Sequence, residues 1–208
     1  MNLAEQLARG ISELKLHVSA ATQRKLLDYL KLIAKWNRIH NLTAVRESTK
    51  MVSSHLLDSL AVVPHLEADT VLDVGSGAGL PGVPLALMWP HARVTLMDSN
   101  HKKAAFLRQT VIELGLNNAE VICERVEFWR PPNLYDLVIS RAFSDLAEFL
   151  RLAGRHCAVR GTAAAMKGVY PHEELGQLPA EFELKRVDAL NVPGLSAARH
   201  LVLLTRQR

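Results

Sequence analysis

Apolar residues recur at helical spacing through the first third of the chain and in short strand-like runs after it. Leu3, Leu7, Ile11 and Leu14 mark one face of a first amphipathic helix, in which Gly10 is a weak point. Ser19 stands where an N-cap belongs for a longer helix, whose apolar stripe is Leu26, Leu27, Leu30, Ile33, Ala34 and Trp36 and whose end is expected near Ile39. A third helix from Ser48 carries Met51, Val52, Leu56, Leu60 and Val63 up to Pro64. Residues 1–65 therefore read as a helical extension, too short to be self-sufficient, packed on a core domain formed by 66–208.

From Thr70 onward strands and helices alternate, the pattern of a mostly parallel sheet. Strands are expected at 70–74, 93–97, 119–123, 134–139 and 162–166, and helices at 83–88, 102–114 and 145–157. In the second of these helices Ala105, Phe106, Thr110 and Leu114 are expected to face inward, and Gly115 stops it. The tail departs from the repeat. Pro171 to Leu178 forms a short helix, and the runs Phe182–Leu190 and His200–Thr205 flank a Pro193-Gly194 turn with no helix between them. They are expected to pair as an antiparallel hairpin at the sheet edge.

Candidate chemistry concentrates at residues 71–82, where Val71, Leu72 and Val74 lead into Gly75, Gly77 and Gly79 and then a helix. Glycines let a ligand approach the backbone and reach φ values closed to other residues, while the helix start offers unpaired N–H groups. The second strand ends in Asp98, close to the spacing of roughly 20 residues at which an acid holds a ribose hydroxyl pair. The dinucleotide fingerprint is broken, because Leu80 stands where its third glycine belongs. No Gly-Lys-Ser/Thr follows, so the phosphate-loop pattern fails as well.

Composition narrows the partner. The 208 residues are 49% hydrophobic and carry a formal charge of +4, a moderate tilt toward a polyanion. Aromatics total 5%, too few for a base-stacking sheet of interleaved rings and lysines. No apolar run is long enough to span a bilayer, and a cytoplasmic protein without membrane contact is expected. Cys123 and Cys157 make no close pair, and the nine histidines show no metal-ligand spacing, so neither a disulfide nor a metal is expected.

Asp73-Val74-Gly75-Ser76-Gly77-Ala78-Gly79, joined to Asp98 and the terminal hairpin, resembles the Rossmann-like class I methyltransferases that use S-adenosylmethionine. Four further motifs in order sharpen this: Trp36-Asn37-Arg38 with Asn41-Leu42-Thr43, His55-Leu56-Leu57-Asp58-Ser59, Leu80-Pro81-Gly82 after the turn, and Ile139-Ser140-Arg141-Ala142-Phe143. Together they resemble the RsmG family, also called glucose-inhibited division protein B, over nearly the whole chain. That resemblance implies a bacterial enzyme that methylates guanine N7 in the 530 loop of 16S ribosomal RNA, in a 30S subunit or assembly intermediate, with a monomer expected. It also implies a cofactor site at Asp73, Gly75, Gly77, Gly79, Leu80, Val126, Glu127 and Arg141, with Asp98 on the ribose. A methyltransferase with another RNA, protein or small-molecule acceptor, and a nucleotide- and RNA-binding protein without transfer, stay open as alternatives.

Guanine N7 carries a lone pair and no proton, so its methylation requires alignment rather than a general base. Arg141, His55 and Asn41 are accordingly expected to position reactants; Asn41 also has the simpler reading of a helix cap. Asn41, His55, Lys102, Lys103, Arg125 and Lys167 are the expected RNA contacts, with Lys102, Arg125 and Lys167 emerging at the ligand end of the sheet. Phe128 and Trp129 are alternatively read as core residues after a turn at Val126-Glu127.

Overall fold

A computed structural model describes residues 2–207. Seven strands form one sheet in the order β3-β2-β1-β4-β5-β7-β6, namely Thr70–Val74 (β1), Arg93–Met97 (β2), Ala119–Ile122 (β3), Tyr135–Ser140 (β4), Cys157–Lys167 (β5), Phe182–Ala189 (β6) and His200–Arg206 (β7). Strands β1 to β5 run parallel, and β7 is antiparallel to both β5 and β6. The expected mostly parallel sheet, terminal hairpin and Rossmann-like class I methyltransferase fold are borne out. Because β1 is flanked by β2 and β4, the chain reverses its direction of growth beside β1, which opens a crevice at the carboxyl ends of these strands.

Alternation along the strands sends Val71, Val94, Leu96 and Ile139 to one face and Leu72, Val74, Met97 and Val138 to the other. The first face is covered by helices α1 (Leu3–Glu13), α2 (Ala20–His40), α5 (Gly82–Met88) and α6 (His101–Leu114), so that Leu7, Leu26 and Ile33 share one apolar cluster with the sheet. The second face carries α7 (Leu146–Ala153) and the helix-free stretch between β3 and β4. Asn2 caps α1, its side chain accepting Glu5 N–H while the Glu5 carboxylate accepts Asn2 N–H. Gly10 is no weakness there: a Cβ would stand 2.3 Å from Leu57 Cδ1, so the glycine admits the neighbouring helix. Ser19 caps α2, which ends with Asn41 in the left-handed region at φ 47°.

Four expectations need correction. The third helix is not one α-helix but α3 (Ser48–Met51), a π-helical stretch Val52–Leu57, α4 (Asp58–Leu60) and a 3-10 turn Val63–His65. Wider π turns bury Val52, Leu56 and Leu57 together with the polar Ser53, His55 and Asp58, more of the circumference than a regular amphipathic helix turns inward. The helix expected over 145–157 stops at Ala153; Gly154–His156 make a 3-10 turn against the Phe182 ring, and Cys157 already pairs with Tyr135 as the start of β5. In α6 the buried positions are Ala104, Phe106, Leu107, Thr110 and Leu114, with Ala105 on the outside. Phe128 is exposed, whereas Trp129 packs on Tyr135 and His156.

Candidate active site

The turn after β1 is held from below at every step. Gly75, Gly77 and Gly79 all have positive φ, at 70°, 60° and 87°. A Cβ on Gly75 would lie 2.8 Å from the Ala142 Cβ, and one on Gly79 would lie 2.6 Å from Val83 Cγ2 and 3.0 Å from the Tyr29 hydroxyl. Both positions therefore exclude other residues on conformation and on space. Ser76 N–H donates to Met97 O at 2.9 Å and its hydroxyl to Asp73 O at 2.9 Å, while Met97 N–H donates to that hydroxyl at 3.1 Å. From α2 the Tyr29 hydroxyl donates to the Ala78 carbonyl.

Asp73 lies behind this turn, not in it. The residue is completely buried, and its Oδ2 accepts Gly82 N–H at 2.9 Å. The start of α5 is thereby spent on a protein carboxylate: Gly82 N–H goes to Asp73, and Val83 N–H to Gly79 O at 2.8 Å. The expected presentation of helix N–H groups to a ligand is thus corrected, and so is the direct cofactor contact expected of Asp73. An acid at that point also disfavours a phosphate there, which accounts physically for the failed dinucleotide and phosphate-loop patterns. Burial foremost pushes the Asp73 carboxyl up to about 7, against the lowering effect of the Gly82 N–H.

Two cavities open on either side of Gly75 and Ala142, which line both. One of about 410 Å3 is bounded by Val74, Met97, Asp98, Lys103, Val126 and Phe143. The other, about 150 Å3, is bounded by Leu42, Thr43, Gly77, Leu80 and Arg141. Asp98 Oδ2 accepts Gly77 N–H at 2.9 Å and Oδ1 accepts Asn100 N–H at 2.8 Å, so the carboxylate is fixed at the cavity wall. Lys103 Nζ stands 3.8 Å from the same Oδ2. The Val126 carbonyl is held by Arg155 at 2.8 Å and His156 Nε2 at 2.9 Å, while Glu127, paired with Arg125 at 2.7 Å, forms the outer lip. A further cavity of about 470 Å3 lies by Thr70, Arg93, Thr95 and Tyr135, near the amino ends of the strands and away from the glycine turn.

Arg141, just past β4, reaches the smaller cavity under tight control. Its Nη1 donates to Asp58 Oδ2 at 3.0 Å and to Ser54 O at 3.1 Å, and Arg199 Nε donates to Asp58 Oδ1 at 2.9 Å. One buried carboxylate thus pairs with and orients two guanidiniums. His55 is buried and its Nε2 meets Thr43 Oγ1 at 3.0 Å; burial lowers its pKa and favours the neutral ring. The expected direct RNA contact of His55 is corrected to support of the Leu42–Thr43 wall, which Asn37 also holds by accepting Thr43 N–H at 2.9 Å. Asn41 caps α2 beside this wall, exposed, its Oδ1 accepting from Arg46 at 3.3 Å.

Among the expected phosphate-facing residues, Lys102 and Arg125 are exposed and Lys103 is half-buried at the cavity mouth. Lys167 is not available: its buried ammonium donates to Ser144 O and pairs with Glu174 at 2.9 Å. A strand-end lysine reads from sequence as exposed, and the Glu174 that turns back over it carries no motif. Sequence reasoning also missed Tyr29 and Arg199. Tyr29 lies on the stripe of α2 between Leu26 and Ile33 with nothing local to mark its hydroxyl, and Arg199 meets Asp58 only through the fold. Among the described residues no group of three or more His, Cys, Asp or Glu is placed to hold a metal, and no helix is long and apolar enough to cross a membrane.

Comparison with known proteins agrees with this geometry. Residues 22–202 match the family model GidB, rRNA small subunit methyltransferase G. Proteins named ribosomal RNA small subunit methyltransferase G are similar along their whole length: that of Nitrosospira multiformis is 57% identical, covering 99% of each chain, and that of Laribacter hongkongensis is 54% identical over 98% of this chain and 99% of its own. Among solved structures, the O-methyltransferase TomG of Streptomyces achromogenes shares the fold at TM-score 0.63, with 16% identity and both chains covered in full. A SAM-dependent methyltransferase of Aquifex aeolicus does so at 0.58, with 24% identity over 72% of this chain and 90% of that one. With the sheet order, the braced glycine turn and these likenesses in hand, the chain belongs to the GidB family, rRNA small subunit methyltransferase G.

Proposed function

We propose that this protein transfers a methyl group from S-adenosyl-L-methionine to N7 of a guanine in the 530 loop of 16S ribosomal RNA, as a cytoplasmic monomer acting on a 30S subunit or assembly intermediate. The observation that carries the reading is the pair of cavities flanking Gly75 and Ala142 at the glycine turn, with a fixed carboxylate in one and a fixed guanidinium in the other, in a chain of this family. The residues fit the cofactor: Gly75, packed close on Ala142, lines both cavities without a side chain, Asp98 keeps lone pairs for two ribose hydroxyls, and Val126 offers an apolar wall. Arg141, Gly77 and Leu80 line the side suited to the amino-acid portion, with Glu127 at the opposite lip. When bound, the cofactor supplies a methyl carbon activated by the neighbouring sulfonium, which the N7 lone pair attacks as the carbon–sulfur bond breaks.

The protein's own contribution is positional. Asp58 holds the Arg141 guanidinium in one direction, so its charge is aimed before substrate arrives. His55, neutral and bonded to Thr43, shapes the wall beside Asn41 and accepts no proton, in keeping with a target nitrogen that has none to lose. A cysteine nucleophile is not offered by Cys157, whose thiol burial pushes up to about 12. Lys103 and Arg125 line the larger cavity, Lys102 is exposed next to Lys103 on the first turn of α6, and these cations suit phosphates of the RNA.

The test is transfer of labelled methyl to 30S particles that lack endogenous modification, with nuclease digestion and mass analysis of the product. N7-methylguanine in the 530 loop is the expected result. Label in another base or in protein would overturn the target, and saturable RNA binding without label would overturn transfer itself.

A further inference from the structure

The segment joining β5 to the 3-10 helix Glu174–Gln177 presents an exposed aromatic tip on a rigid base. Lys167, the last residue of β5, is pinned to Ser144 O and Glu174, whose Oε2 also accepts Leu146 N–H at 2.7 Å, the first residue of α7. Pro171 is buried, and His172 N–H donates to Tyr170 O at 3.0 Å. Between these fixed points Val169 is 72% and Tyr170 40% exposed. The Tyr170 ring lies 4.3 Å from His172 and 5.6 Å from His200, centroid to centroid. The tight loop turns an apolar residue and a ring outward rather than into the adjoining core.

Its position connects it to the reacting end of the molecule. Ala165 of β5 pairs beside Ser140, and Lys167 beside His200, so the loop leaves the sheet at the same end as Arg141. A Cβ on Gly168 would lie 3.9 Å from Arg199 Nη1, Arg199 binds Asp58, and Asp58 binds Arg141 at the smaller cavity. The two guanidiniums share one carboxylate, leaving net positive charge between the tip and the cavity. Unpaired RNA is recognised by rings that stack on its bases beside cations that meet its phosphates.

We propose that Tyr170, backed by His172 and His200, is a stacking platform for an unpaired nucleotide of the ribosomal RNA adjacent to the target guanine, with Arg199 serving the phosphate between them. The proposal rests on the RNA-methyltransferase reading above and adds to it a second point of contact with the substrate. Bases of any identity stack, so the platform fixes the strand's path and leaves base choice to the cavity.

The test compares wild type, Tyr170→Ala and Tyr170→Phe in methyl transfer to unmodified 30S particles, with calorimetric affinity for S-adenosylmethionine as the control for folding and cofactor binding. Tyr170→Ala is expected to raise the KM for 30S about ten-fold or more with cofactor affinity unchanged, and Tyr170→Phe to stay within about two-fold of wild type, because stacking needs the ring and not the hydroxyl. Ultraviolet irradiation of the wild-type complex is expected to leave a nucleotide adduct on the peptide containing Tyr170. Equal KM for Tyr170→Ala and wild type would overturn the platform, as would cross-linking of that peptide to a ribosomal protein instead of RNA. Absence of transfer to 30S by wild type would instead overturn the RNA reading itself, and the platform with it.

Discussion

Asp73 and Asp98 are acids at the ends of adjacent strands with opposite roles, set by what each side chain meets. Asp73 is sealed under the turn with Oδ1 lacking a hydrogen-bond partner, and its pKa rises to about 7. In the unfolded chain the same group titrates near 3.9. Its contribution to folding is therefore fully present below about pH 4 and is lost as pH rises from about 4 through 7, because the unfolded state releases the proton first. Asp73→Asn, which keeps an acceptor for Gly82 N–H, is expected to flatten the dependence of unfolding free energy on pH across that window, as measured by denaturant titrations at several pH values. Asp98 instead lies at the cavity wall with both oxygens tied to backbone N–H groups and lone pairs to spare. Asp98→Ala is expected to weaken S-adenosylmethionine binding by about ten- to a hundred-fold, the loss of hydrogen bonds to a charged acceptor, without general unfolding. Calorimetry beside a thermal melt checks both halves, and undiminished affinity would remove Asp98 from the site.

At the scale of elements, the N-terminal helices build the floor and one wall of the cavity. Helix α2 contributes Tyr29 beneath the glycine turn and Asn37 beside the Leu42–Thr43 wall, and the π-helical stretch Val52–Leu57 leads into Asp58 with Ser54 O free to accept from Arg141. Tyr29→Phe keeps the ring in the core and leaves the Ala78 carbonyl without its donor. Its expected cost is about 1–3 kcal/mol of stability, with weaker cofactor binding from a looser turn, read by denaturant unfolding and calorimetry on the same sample. The helical spacing of Leu26, Leu30 and Ile33 shows in the sequence because burial of one face dictates it. The irregularity of 52–57 does not, since a buried helix is apolar on several sides whatever its pitch. For the same reason the helix expected to run to Cys157 ended early: Gly154 and the strand pairing of Cys157 with Tyr135 are tertiary contacts that outweigh local helical preference.

For the whole molecule, the formal charge of +4 and the few basic side chains at the cavity mouth imply a small electrostatic share in RNA binding. With three or four phosphates neutralised, the logarithm of affinity for 30S particles is expected to fall against the logarithm of salt concentration with a slope of about −3, measurable by filter binding; a slope near −8 would mean a far wider basic footprint. The sequence by itself determined the succession of strands and helices along the chain, the terminal hairpin, the glycine turn, the acid at the end of β2 and the helical character of the N-terminal extension. Those features depend on local periodicity and on residues whose conformation only glycine or an acid at fixed spacing can satisfy. Tertiary structure alone decided which polar residues work inside and which face the substrate. It withdrew His55, Asp73 and Lys167 from direct contact by giving each a partner within the protein, and it joined Asp58 to Arg141 and Arg199, which lie 83 and 141 residues further along the chain. A charged side chain's role is set by the group it meets, and partners distant in sequence leave no periodic trace by which to foresee the meeting.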